Sequence, residues 1–207
     1  MGLEDAFQQS ERLVAELLKL IELPALDLPR TVIGDVACSL SLEHWHSVRA
    51  QLAVGLLPSA LVVHRAQFEA LVRSVWLTYA AREEDLAKLS ATLDLVSEQA
   101  AKNMPSVNEM MERIQEKAPA QAHAALARFK EHNWSYTHAG IHPLRRHADG
   151  YPTMLIHNVL CNANGVGVLS CMQAVVLSSA QPLQRDILNI AAKYPSCMPS
   201  LIEPSSA

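Results

Sequence analysis

The sequence predicts an all-α protein, a single up-and-down bundle of about six to eight helices. Three observations carry that prediction. Glycine is scarce, 7 of 207 residues, while Ala, Leu, Glu and Gln are abundant, a composition that favours helix over a turn-rich β fold. Apolar residues recur at three- and four-residue spacing through most of the chain. The prolines fall between these periodic stretches, where they punctuate helices instead of interrupting them.

In chain order, Leu3 to Leu23 carries Leu13, Leu17, Leu20 and Ile21 on one face of an amphipathic helix that Pro24 and Pro29 terminate. A second helix is expected from about Thr31 to Leu56, with a break near Ser39 to Ser41. Pro58 suits the first turn of a third, Ser59 to Ala81, because a proline there gives up an N–H that has no helical partner. On that helix Leu61, Phe68, Val72, Val75 and Tyr79 share a face; Arg65, Glu69 and Arg73 form an adjoining stripe at i, i+4 and i+8, with Trp76 alongside. Glu83 to Gln99 is a further helix. Ser106 and Glu109 have the spacing of a capping box for a helix to Lys117, and Pro119 opens another through about Tyr136. Two more are expected over Thr153 to Ala180 and Leu183 to Lys193. Residues 1–194 thus read as one domain and 195–207 as an irregular tail.

A net charge of −4 argues against a protein that coats nucleic acid by charge alone. Cys38, Cys161, Cys171 and Cys197 are widely spaced, show no CxxC pairing and follow no secretory leader. They read as reduced, buried thiols of a cytoplasmic protein. From Tyr151 to Gln184 there is no Asp, Glu, Lys or Arg. His157, Asn158, Asn162, Asn164 and Gln173 nevertheless interrupt that run, so it reads as a core or dimer-interface helix, not a membrane span.

The chemistry-bearing residues concentrate in Asn133 to His147, NWSYTHAGIHPLRRH. His138 and His142 are four apart, but Ala139 stands where the Glu of HExxH would be, so no metal and no cofactor is expected. Ser135 or Thr137 beside His138 lacks both a GxSxG elbow and an orienting acid. His44 and His46 point apart around Trp45 and read as partly exposed histidines beside a packed indole. Cleavage of RNA by its own 2′-hydroxyl has more mechanical content. It needs an acid or base of near-neutral pKa, which His138 offers, and a cation at the phosphate, which Arg145 and Arg146 offer. Trp134 and Tyr136 are suited to stack a base, with Asn133 and His142 as further polar contacts. The plainer alternative is a polar helix end whose side chains cap carbonyls.

Two passages together, HRAQFEALVRSVWLTYAA and NWSYTHAGIHPLRR, resemble a family of bacterial all-helical proteins of unknown function. Arg65, Phe68, Glu69, Arg73 and Trp76 match its first motif; Ser135, Tyr136, Thr137, His138, Gly140, Arg145 and Arg146 match its second. The layout is also similar to HEPN proteins, helical bundles that often act as metal-independent ribonucleases in phage defence and toxin systems. That resemblance implies a homodimer, RNA as partner, and a catalytic Arg separated from a His by four to six intervening residues. Counting back from His138, those positions hold Glu131, His132 and Asn133. His132 is the nearest approach, and the phosphate-contacting cation would then come from Arg65, Arg73, Arg145 or Arg146. The leading expectation is a HEPN-like, RNA-cleaving defence or toxin-type protein. The alternative is a non-catalytic ligand-binding or scaffold module.

Overall fold

The computed structural model describes residues 2–90, 104–137 and 150–200, and all regular structure among them is helical. The elements are α1 (Leu3–Leu20), α2 (Pro29–Ala53), α3 (Leu57–Tyr79), α4 (Glu83–Ser90), α5 (Val107–Lys117), α6 (Ala120–Thr137), α7 (Thr153–Leu177) and α8 (Gln184–Ala192). Short 3-10 turns occupy Gln181–Leu183 and Pro195–Cys197.

The centre of the molecule is α7. Every residue from Val159 to Val168 is buried, the pattern of a helix wrapped on all sides. It is long and apolar enough to cross a membrane, but 83% of its most apolar window is buried inside this same chain. The middle of the uncharged segment is therefore core, which accounts for its lack of Lys, Arg, Asp and Glu.

Side-chain hydrogen bonds give the directions of its neighbours. Ser74 Oγ donates to Gly34 O at 2.7 Å and Ser41 Oγ to Gln67 O at 2.9 Å, so α2 and α3 are an antiparallel hairpin. Gln67 Nε2 donates to Ala163 O and Gln173 Nε2 to Thr78 Oγ1, so α7 runs parallel to α3. Trp45 meets Asn164 and Ser41 meets Ser170, so α7 is antiparallel to α2. Neighbours thus alternate in direction at two of these three contacts, and α3 with α7 is the parallel pair.

The close approach of α2 and α7 requires Gly167. A Cβ there would sit 2.3 Å from the Trp45 ring. At Gly165 a Cβ would sit 2.5 Å from the Phe129 ring of α6. Pro29 and Pro58 both occupy first turns, and Ser106 with Glu109 forms the capping box at the head of α5.

Three expectations change. α2 is unbroken through Ser39 to Ser41, because Ser41 is buried and its hydroxyl is shared between Gln67 O and Ser170 Oγ instead of capping a new turn. The buried surface of α3 is far wider than one face: Ala70, Leu71, Val72, Ser74, Val75, Trp76 and Leu77 are all buried, because α2, α5, α6 and α7 pack around it. The chain after Tyr194, expected to be irregular, begins with a 3-10 turn whose Cys197 is in the core and whose Cys197 O accepts from Asn164 Nδ2 at 2.9 Å. Residues 91–103, where the expected Glu83 to Gln99 helix continues, and residues 201–207 lie outside the described part.

Candidate functional site

On α3 the expected charged stripe is half formed. Arg65 Nε donates to Glu69 Oε1 at 2.8 Å, with side chains 45% and 32% exposed, an ion pair worth about 0.3–0.5 kcal/mol at such exposure. Arg73 makes no ion pair among the described residues, so Glu69 is held by Arg65 and not by both arginines. Trp76, expected beside this stripe, is fully buried in the apolar core with its Nε1 unpartnered among the described residues. His138, His142, Arg145 and Arg146 lie outside the described residues. His132, Asn133, Trp134 and Tyr136 lie on the helical backbone of α6, whose side chains are described only as far as Lys130.

The direction of α6 bears on these residues. Its Phe129 ring lies against Gly165, while its first turns, at Ala122 and Ala125, share a cleft with Met172 and Val176 further along α7. α6 therefore runs opposite to both α7 and α3. Its last two turns, which carry His132 to Tyr136, head toward the half of α3 that holds Arg65 and Glu69.

The same arrangement opens a cleft at the other end of α6. It has a volume of about 360 Å³ and is walled by α3 (Leu71, Val75, Tyr79), α6 (Ala122, Ala125, Leu126) and α7 (Leu169, Met172, Val176). Four glutamines, Gln121, Gln173, Gln181 and Gln184, line it, and among the described residues no Asp, Glu, Lys, Arg or His does. Burial raises the pKa of the Tyr79 phenol, so that group too stays neutral at physiological pH.

Gln173 is only 5% exposed. Thr78 Oγ1 donates to Ser74 O at 2.8 Å and accepts from Gln173 Nε2 at 2.7 Å. The Gln173 carbonyl is turned the other way and meets no donor among the described residues. Sequence reasoning noticed Gln173 as an amide in an uncharged run and used it only against a membrane span. The available signal was that a buried amide must find partners.

His64 went unremarked, and Asn164 was noticed only as an interruption of the uncharged run. His64 is fully buried, its Nδ1 3.0 Å from Gln67 Oε1 and its Nε2 unpartnered among the described residues; burial pushes its pKa down to about 4, so it is neutral. The HxxQ spacing on one helix was the signal. Asn164 gathers Trp45 Nε1 and Ser10 Oγ on its carbonyl, while Arg49 Nε donates to Ser10 Oγ, its guanidinium pairs with Glu11 and it lies over the Trp45 ring. That network fastens α1, α2 and α7 together. Among the described residues no group of three His, Cys, Asp or Glu could hold a metal ion.

Fold and cleft together define an all-helical protein with a central buried helix and a neutral, ligand-sized recess beside it. The chain belongs to a family of unknown function, DUF6988, whose model matches residues 38–200. The match starts within α2 and takes in both the Arg65–Glu69 helix and the Asn133 to His147 stretch. No curated protein and no solved structure matches the chain. The HEPN likeness therefore rests on the sequence alone.

Proposed function

We propose that this protein is a ligand-binding helical module whose site is the cleft between α3, α6 and α7. The observation that carries the reading is a recess of about 360 Å³ with apolar walls on three helices and a few amides at fixed places. Size and lining match what small-molecule sites require, apolar area for affinity and a few polar groups for orientation. Among the described residues the lining carries no charge and no nucleophile–base pair, which favours binding over turnover at this place. The test is uptake of Nile red, an uncharged apolar dye, followed by fluorescence. Ala122→Trp, which fills the recess from α6, is expected to abolish a blue-shifted signal seen with the native chain. Equal signals from both proteins would overturn the reading.

A second reading is favoured by the course of α6. A helix that carries His132, Asn133, Trp134 and Tyr136 toward Arg65 and Glu69 would bring a base, stacking rings and a cation to one end of the bundle. On this reading the protein is a HEPN-like, metal-independent ribonuclease of the bacterial cytoplasm, acting as a homodimer in defence or as a toxin. His138, Arg145 and Arg146 would complete the site. Four buried, unpaired cysteines accord with a reducing compartment. Purified protein that cleaves single-stranded RNA in the presence of a chelator, and loses this with His138→Ala at unchanged melting temperature, would establish it. Cleavage that survives His138→Ala would remove it.

A further inference from the structure

The outward side of α2 is apolar where an ordinary solvated helix is charged. Six of the eleven large apolar side chains exposed among the described residues fall within one stretch: Leu23, Leu26, Leu28, Val32, Val36 and Leu40. Val36 leaves 67% of its surface in water. Single exposed aliphatics are ordinary, but a cluster of them marks a contact surface. The last four recur every four residues, so from the N-cap of α2 they form one row about 18 Å long, at a helical rise of about 1.5 Å per residue. Rows of that spacing are the ridges by which one helix packs across another. The opposite side of α2 is already taken up by α3 and α7, through Ser41 and Trp45.

The charge around this row has one sign. Between residues 21 and 53 the acids are Glu22, Asp27, Asp35 and Glu43, and none forms an ion pair among the described residues. The same stretch holds two cations, and both are committed elsewhere. Arg30 donates to Leu77 O, Ala81 O and Glu83, while the buried Arg49 pairs with Glu11. Asp35 follows Val32 by three residues and Glu43 follows Leu40 by three, so each carboxylate stands one turn from a member of the row. Asp35 is half-buried, and burial raises its pKa. A second copy of the chain fits this face poorly: α2 against α2 sets carboxylates near carboxylates and brings no cation from either side. An anionic lipid surface is repelled for the same reason.

We propose that the N-terminal half of α2 is a docking surface for a basic amphipathic helix of a partner protein. Its apolar side chains lie on the row Leu28, Val32, Val36 and Leu40, and its flanking Lys or Arg reach Asp35 and Glu43. Apolar anchors at three- and four-residue spacing match the row, and the opposite charges fix the register. None of these residues lines the cleft between α3, α6 and α7, so the surface stands independently of the ligand-binding reading.

The test is fluorescence anisotropy of the full chain with two fluorescein-labelled peptides of about four helical turns. One is built of leucine and lysine, with leucines at i, i+3, i+4 and i+7; its twin has glutamate for every lysine. The leucine–lysine peptide is expected to bind about tenfold more tightly than its twin. Val36→Asp separates docking from simple charge attraction, because it removes an apolar anchor and adds a negative charge. The leucine–lysine peptide should bind this variant about tenfold more weakly, at an unchanged melting temperature, since Val36 is mostly in water. Asp35→Asn combined with Glu43→Gln should shrink the preference for the lysine peptide to about threefold. Binding that is equal or stronger in Val36→Asp would overturn the docking surface, as would equal affinity for the two peptides or none for either. Sedimentation equilibrium and flotation with phosphatidylcholine vesicles test the other occupants. A dimer, or vesicle binding, that Val36→Asp abolishes would give the face to a second copy or to lipid, and would overturn the partner-helix assignment.

Discussion

Asn164 Oδ1, at the middle of α7, accepts the indole N–H of Trp45 at 2.9 Å, and both residues are fully buried. The same oxygen accepts from Ser10 on α1, and the amide nitrogen donates to Cys197 O. An asparagine in an apolar helix is tolerable because its oxygen takes two donors and its nitrogen finds an acceptor, and the three elements it reaches gain a defined register. Asn164→Leu keeps the branched side-chain shape and strands the Trp45 N–H, the Ser10 proton and the Cys197 carbonyl together. Urea denaturation is expected to show a loss of roughly 3–5 kcal/mol. A loss below about 1 kcal/mol would mean that the network is ornamental.

The two glycines of α7 should respond unequally. A methyl at Gly167 meets the Trp45 ring at 2.3 Å, and that ring is locked by its own hydrogen bond in a fully buried site. At Gly165 the obstacle is Phe129, a partly buried ring on α6 with more room to yield. Gly167→Ala is expected to lower stability by about 3 kcal/mol, and Gly165→Ala by about 1 kcal/mol. Paired thermal melts check the order, and a reversal would show that α6 is the less yielding partner.

His64 gives stability a pH dependence with a definite sign. In the fold its pKa lies at about 4, against 6.5 for the unfolded chain, because burial opposes the charged form. Between those values the unfolded state holds the extra proton, so stability falls as pH drops from 6.5 to about 4, by roughly 3 kcal/mol, and levels off below. His64→Gln should flatten that part of a pH series of denaturation curves. An equally steep series in the variant would assign the effect to other groups.

Much of this architecture is written in the chain. Helix positions followed from periodicity and proline, and the capping box at Ser106 and Glu109 is where its spacing places it. What was not legible is which helix would be central. Both α3 and α7 carry apolar residues all round, and only the partners of Asn164, Gln67 and Gln173 show how the surrounding helices are registered on them. Those partners lie up to 154 residues away, beyond anything local pattern can report. The cleft was illegible for the same reason, since Tyr79, Ala122 and Val176 meet only in three dimensions. The Arg65–Glu69 stripe was the reverse case, an i, i+4 pair readable directly from spacing.

The thiols should be inert in the native protein. Burial raises all four, Cys161 to about 11 and Cys171 and Cys197 to about 12, with Cys38 higher still, so the thiolate is scarce at neutral pH. Iodoacetamide at pH 7.5, read by intact-mass spectrometry, is expected to add nothing to folded protein within an hour and four groups in guanidinium. Rapid labelling of one site in native buffer would reveal a local opening around it.

The hub at Asn164 joins Ser10 of the first helix to the Cys197 carbonyl of the last 3-10 turn, 154 residues in one direction and 33 in the other. A nascent chain can lay α1 against α7 as soon as α7 is made, but cannot close this junction until Cys197 has followed. Growth of the chain therefore separates docking from locking, and the register of α1 is fixed last.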